Sequence, residues 1–426
     1  MKRTLAVHAL VVGMFLATSA AVFADNWPQW RGPTNDCISK EKNLPTKWSE
    51  TETIAWKLPL PGEAGSTPIV WGDRIFLTGK DGKNLVLLCA STDGKELWKK
   101  PIGTTAGNSP KGDEGNTVSA SSPCTDGKHV FTFDGGSGNL VCFDFEGQEI
   151  WKVDLQNRYG KFTMNWGTHT SPLLDGDRLY MQLLHRNAGL VIALNKADGK
   201  EIWKVKRETD ARAESKESYA TPSIWRKGEQ EYLVTHGGDC TVAHRLTDGS
   251  EIWRVGGLNP RATDSLRLVA SPTVSADLIV VPSAKSGPVV GVKPEATGAV
   301  NAGSKFEQWR RPDKTPDVSS PLIVDGLVYL CGEGGILYCV DAKTGKDHYA
   351  ERLHSSRYRA SPVYADGHVY CTAHDGVVTV VKVGPKFEKV SENKLPEEIA
   401  ATPVIADGKI YLRGFQNLYA IGTTKK

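Results

Sequence analysis

A small-small-Pro phrase recurs eight times in this chain, each copy followed by short apolar runs broken by Asp-Gly or Gly-rich turns. This predicts an all-β fold, an eight-bladed β-propeller of four-stranded antiparallel blades. Its prolines stand at 68, 123, 172, 222, 272, 321, 362 and 403, at intervals of 41 to 55 residues. Helical periodicity is nearly absent, while 43 Gly and 23 Pro supply the turns that many short strands need. The last copy stops after its third strand, LYAI (418–421), whereas IAWKLPL (54–60) looks like a fourth strand with no first three before it. Pairing these two ends is expected to close the ring in the last blade and remove the open sheet edges.

Taken in order, residues 1–24 read as a cleaved signal peptide. Lys2 and Arg3 precede an apolar stretch from Leu5 to Leu16, and Val22-Phe23-Ala24 ends it with a cleavage site near Ala24. Export to the periplasm or cell envelope follows, with no transmembrane helix in the mature chain. Residues 25–53 hold Trp27, Trp30 and Trp48 without strand periodicity and are expected to form an irregular strap packed on the body. Residues 54–426 form the propeller.

The unit is clearest at 170–206. TSPLL is an inner strand whose Pro sits at the strand start, where no ladder bond is lost. Two further strands and two Asp-Gly turns lead to EIWKVK with Trp203. Trp98, Trp151, Trp253 and Trp309 hold the same place in other repeats, each expected to bury against the next blade. Small Ser, Thr and Ala at the phrase let eight inner strands converge on one axis. Blade five has a long third-to-fourth connection, 293–305.

Net charge is +3, and +1 without the leader (50 basic residues against 49 acidic), with no basic aromatic run, so nothing points to nucleic acid. Of the 8 Cys, Cys89, Cys124, Cys142, Cys331, Cys339 and Cys371 fall in strands and read as core filling, with one or two bridges left open.

The phrases STDGKELW (91–98), KADGKEIW (196–203) and LTDGSEIW (246–253), each ahead of a small-small-Pro strand, resemble PQQ-like (pyrrolo-quinoline quinone-like) β-propeller repeats over about residues 54–421. WPQWRGP (27–33) resembles the start of exported Planctomycete-type members. The resemblance implies two branches: a BamB-like non-catalytic scaffold that binds partners, or quinoprotein dehydrogenases with PQQ and calcium in the central funnel. The second implies adjacent cysteines and a calcium set; no Cys-Cys pair occurs. The expectation is therefore a binding scaffold with no catalytic residue, no metal and no cofactor, with PQQ and calcium as the alternative.

Its binding face carries the long loops 103–119, 156–169, 207–219 and 256–269, expected to meet a protein or cell-envelope ligand. Three residues before each first-strand Pro stand Gly65, Ala120, His169, Tyr219, Val269, Val318, Arg359 and Ala400, expected to ring the funnel mouth. His169, Tyr219 and Arg359 are the large polar members, with His169 and Arg359 on opposite sides. Trp166 and Asp239 complete the candidate contacts. His185, His236, His374 and Asp375 read as solvated turn residues.

Overall fold

The computed structural model describes residues 25–104 and 120–422, so the leader and most of the 103–119 loop lie outside the described residues. Eight sheets follow one another, each with a four-stranded antiparallel core; five are built from four consecutive strands, and blades four, five and eight depart from that order. Blade three shows the pattern: Leu173–Asp175, Arg178–His185, Ala188–Asn195 and Glu201–Lys206, in spatial order. Blade eight takes Val404–Ala406, Lys409–Arg413 and Asn417–Ile421 from the C-terminal end and Ile54–Pro59 from the other. Ile54 pairs with Ile421 and Pro59 with Asn417, so the expected closure is present.

The inner phrase does more than keep strands thin. The residue before each Pro donates its amide to the hydroxyl of its counterpart in the next blade. The run goes Thr67 to Ser122, Ser122 to Ser171, Ser171 to Thr221 and Thr221 to Ser271, at 2.9–3.0 Å. It continues Ser271 to Ser320, Ser320 to Ser361, Ser361 to Thr402 and Thr402 back to Thr67, at 3.0–3.2 Å. Eight bonds make a closed circle. These amides are buried and would otherwise be orphaned, which explains why the phrase holds Ser or Thr there rather than Ala or Gly.

Outer strands are welded by a second device. The indoles of Trp56, Trp98, Trp151, Trp203 and Trp309 donate to carbonyls of Thr92, Phe145, Lys196, Leu246 and Ala342 in the following blade, at 2.8–2.9 Å. The ring of each lies against the turn glycine of that blade. A Cβ on Gly94 would come within 2.6 Å of Trp56, and one on Gly249 within 2.7 Å of Trp203. Trp253 is the exception: it is fully buried, and its N–H has no hydrogen-bond acceptor among the described residues. Blade five, its neighbour, lacks the Asp-Gly turn. The long connection expected at 293–305 instead lays Gly298–Ala299 parallel to Glu251–Val255 as a fifth strand of blade four. All eight cysteines are free and buried.

Residues 25–53 cross the face that carries the first-to-second turns. Trp27 pairs with Val70, Asn26 accepts from the Gly72 amide, Asp366 accepts from Asn43, and Glu41 accepts from Gly408. Arg31 is fully buried and donates to the carbonyls of Pro272 and Pro321, while Asn35 donates to that of Pro222. The segment thus grips inner strands of blades four, five and six at the hub.

Candidate functional site: a charged cavity at the hub

All eight residues that stand three positions before the prolines line one central cavity of about 440 Å³. Thr67, Ser171, Thr221, Ser271, Ser320, Ser361 and Thr402 of the hydroxyl circle line it more deeply, and Trp30 of the strap reaches it from the far face. The strap therefore floors the hub channel, and the cavity opens toward the long loops.

One side of the wall is aromatic. His169 stacks on Tyr219, centroids 5.7 Å apart at 29°. The His169 Nε2 sits 2.6 Å from the Trp166 carbonyl, and burial holds its pKa below the usual histidine value despite that bond. The Tyr219 hydroxyl donates to Glu217 at 2.5 Å, and burial with the neighbouring carboxylate pushes its pKa up. Arg267 lies 5.8 Å from the centroids of both Trp166 and Tyr219, a cation over two π faces.

Two glutamates on one short turn hold this wall. A single 3-10 turn, Ala213–Lys216, carries Glu214, and Glu217 caps it. Glu214 accepts from Asn165 Nδ2 (2.7 Å) and Trp166 Nε1 (3.1 Å) and pairs with Arg267 (3.3 Å). Glu217, its side chain fully buried, accepts from the Asn165 amide and from Arg186 at 2.7 Å. Ser215 adds bonds to the carbonyls of Thr263 and Leu266 at 2.6 Å. Loops 156–169, 207–219 and 256–269 are thereby tied into one surface. The first of them opens as a helix, Leu155–Tyr159, capped by Asp154.

The opposite side is ionic. Glu333 pairs with Arg357 at 2.8 Å and with Lys285 at 3.5 Å, and Lys285 lies 3.9 Å from Asp317. Burial opposes the Glu333 carboxylate, but Arg357, Lys285 and Arg359 outweigh it and hold its pKa low. Burial and the Glu333 charge push Asp317 up. For Arg359, burial and the adjacent Arg357 lower the guanidinium pKa. With Arg267 paired to Glu214, the wall carries Lys285, Arg357 and Arg359 against Asp317 and Glu333, an excess of positive charge that favours an anion.

Of the residues singled out in the sequence, His169, Tyr219, Arg359 and Trp166 meet at this cavity. Asp239 does not. It sits in the turn before Cys240 at φ +60°, accepts from Asn259 Nδ2 at 3.2 Å, and burial raises its pKa to about 6. The expectation of solvated histidines fails for two: His185 is 4 % exposed and His236 1 %. His236 faces inward along its strand and meets the Thr241 hydroxyl at 2.7 Å. Glu214, Glu217, Arg267, Asp317, Arg357 and Trp30 were not legible as site residues. Glu214, Glu217 and Arg267 leave only the trace that they lie in long loops, and Trp30 that it lies in the strap; Asp317 and Arg357 stand in short fourth-to-first connections.

A PQQ–calcium group does not fit these residues on its metal side. Among the described residues no group of three or more His, Cys, Asp or Glu is placed to hold a metal. The two wall acids are near or paired with cations, and the cysteines are free thiols buried in the blades.

The fold is shared with proteins of both branches. The chain is similar to BamB from Moraxella catarrhalis, with 13 % identity, a TM-score of 0.63, and coverage of 87 % of this chain and 99 % of that one. It is similar to a europium-containing methanol dehydrogenase (13 %, TM-score 0.69, 92 % and 90 %). It is also similar to the quinohemoprotein alcohol dehydrogenase of Comamonas testosteroni (12 %, TM-score 0.69, 94 % and 81 %). At such identities these likenesses establish the fold alone. No curated protein sequence matches. A family profile described as outer membrane protein assembly factor BamB matches residues 82–331 and 295–384, most of the propeller, and the chain belongs to that family.

Proposed function

We propose that the protein is a non-catalytic binding propeller of the cell envelope, exported by its leader, that holds a partner protein or envelope ligand through an acidic group placed in the hub cavity. The observation that carries this is the wall itself: Lys285, Arg357 and Arg359 against Asp317 and Glu333, with Arg267 held by Glu214, beside loops locked by Glu214 and Glu217. Such preorganisation favours recognition, because little loop entropy is lost when a ligand docks. The titratable groups of the aromatic side are committed to internal bonds: His169 to the Trp166 carbonyl and Tyr219 to Glu217. The Tyr219 hydroxyl is thereby not free to take a proton from a substrate, while the His169 Nδ1 is buried without a hydrogen-bond partner among the described residues.

The test is cross-linking in an envelope fraction followed by identification of the captured partner. The double variant R357Q/R359Q should lose that partner while still melting cooperatively; an unchanged capture sinks the reading. Purified protein titrated with PQQ and Ca²⁺ addresses the quinoprotein branch. Dye-linked alcohol oxidation above background would replace the scaffold assignment with that one.

A further inference from the structure

Arg413 closes the second strand of blade eight, Lys409–Arg413, and is 1 % exposed. Its Nη1 donates to the Ser66 carbonyl at 2.8 Å and to the Ser66 hydroxyl. Nε and Nη2 are buried without any hydrogen-bond partner among the described residues. The acid packed against the adjacent Gly414, Glu397, is already engaged: its oxygens accept from the Gln416 amide, Asn417 Nδ2 and the Tyr419 hydroxyl. Burial alone lowers the Arg413 pKa to about 9, a value at which the guanidinium is still charged at neutral pH.

The register makes this position singular. In each blade the residue two beyond the partner of the first inner-strand residue faces the next blade. Elsewhere it is Thr78, Phe133, Gln182, His236, Pro282, Cys331 or Thr372. In blade eight it is Arg413. Gln182, the neutral polar counterpart, has its amide fully used on the Ser218 hydroxyl and the carbonyls of Ala220 and His236. Arg413 has a full charge and two unmatched donors. An unpaired charge so deep is costly unless an opposite charge reaches it.

Room exists on the open side of the guanidinium. Gly79 of blade one lies beside Nη2, with its absent Cβ position 3.9 Å away. We propose that a small monovalent anion of halide size binds between blades eight and one, held by Nε and Nη2 of Arg413 beside Gly79. The anion neutralises the seam where the two ends of the chain meet. It lies directly behind Gly65 and Thr67 of the cavity wall, but it does not depend on the partner reading above.

The experiment uses the mature protein in chloride, bromide, acetate and gluconate buffers at fixed ionic strength. Chloride and bromide should raise the melting temperature saturably by about 1–3 °C over gluconate. Crystals grown in bromide should give an anomalous peak in contact with the Arg413 guanidinium. R413Q should lose the halide response, and if it fails to fold, the wild-type bromide peak decides. Acetate as effective as chloride would assign the same site to carboxylates. A water in place of bromide at Arg413, or a halide response that persists in R413Q, overturns the proposal.

Discussion

At the residue scale, the inner phrase is a hydrogen-bonding instruction as well as a steric one. Each Ser or Thr hydroxyl in the circle satisfies one buried amide of its neighbour. Ser271→Ala should leave the Thr221 amide without an acceptor and lower stability by about 1–3 kcal/mol in chemical denaturation, with the fold intact. A second prediction concerns protons. Burial, with Arg207 nearby, holds His236 at about 3 and His244 at about 4, below the unfolded value near 6.5. Above pH 6.5 both are neutral in either state and contribute nothing. As pH falls below that, the unfolded chain takes up protons the folded one refuses. Stability should therefore drop between pH 6.5 and about 4, by up to about 1.4 kcal/mol per pH unit for each histidine. H236Q should show a shallower slope in melts across that window. His236 was misread from sequence because HGGD is a good turn; the strand Gln230–Gly237 runs two residues into it, and that turns the ring inward.

Among the elements, blade docking rests on the outer tryptophans and the glycines they cover. Trp203→Ala should cost about 3–5 kcal/mol, the loss of a large aromatic from a packed seam. A finer comparison separates packing from hydrogen bonding. Trp203→Phe removes the indole bond to the Leu246 carbonyl, which keeps only its bond from Arg178, whereas Trp253→Phe removes no bond because that indole has no acceptor among the described residues. The first should be the more destabilising by about 1 kcal/mol in urea titrations; equal costs would mean the indole bonds contribute nothing. The motif letters told where the tryptophans lie. They could not tell that blade five trades its turn for a strand added to blade four, because Gly298–Ala299 has no strand signal of its own.

For the whole molecule, closure and flooring are separate. Ile54–Pro59 completes blade eight, while residues 25–53 cross the hub and bring Trp30 to the cavity. Deleting residues 1–60 should leave Asn417–Ile421 as an unpaired edge, so the product should associate in sedimentation and lose a cooperative melt. Deleting only residues 25–53, fused behind the same leader, should keep the ring but open the hub from below and lower the melting temperature. A truncated chain that stays monomeric and melts cooperatively would show that blade eight does not need its borrowed strand.

The repeat count, the four-strand blade and the split last blade were determined by the sequence alone, because turn chemistry and strand period are local and recur eight times. Three of the five singled-out residues, His169, Tyr219 and Arg359, also fell where spacing placed them, since equal offsets from equal strands converge on one axis. What only the tertiary structure decided is the chemistry of that axis: the hydroxyl circle, the glutamates that tie three loops, the ion pairs opposite them, and the isolated charge of Arg413. Each joins residues tens or hundreds of positions apart, as Arg413 does with Ser66. Charge balance and burial at a hub depend on which blades become neighbours when the ring shuts, and no single repeat carries that information.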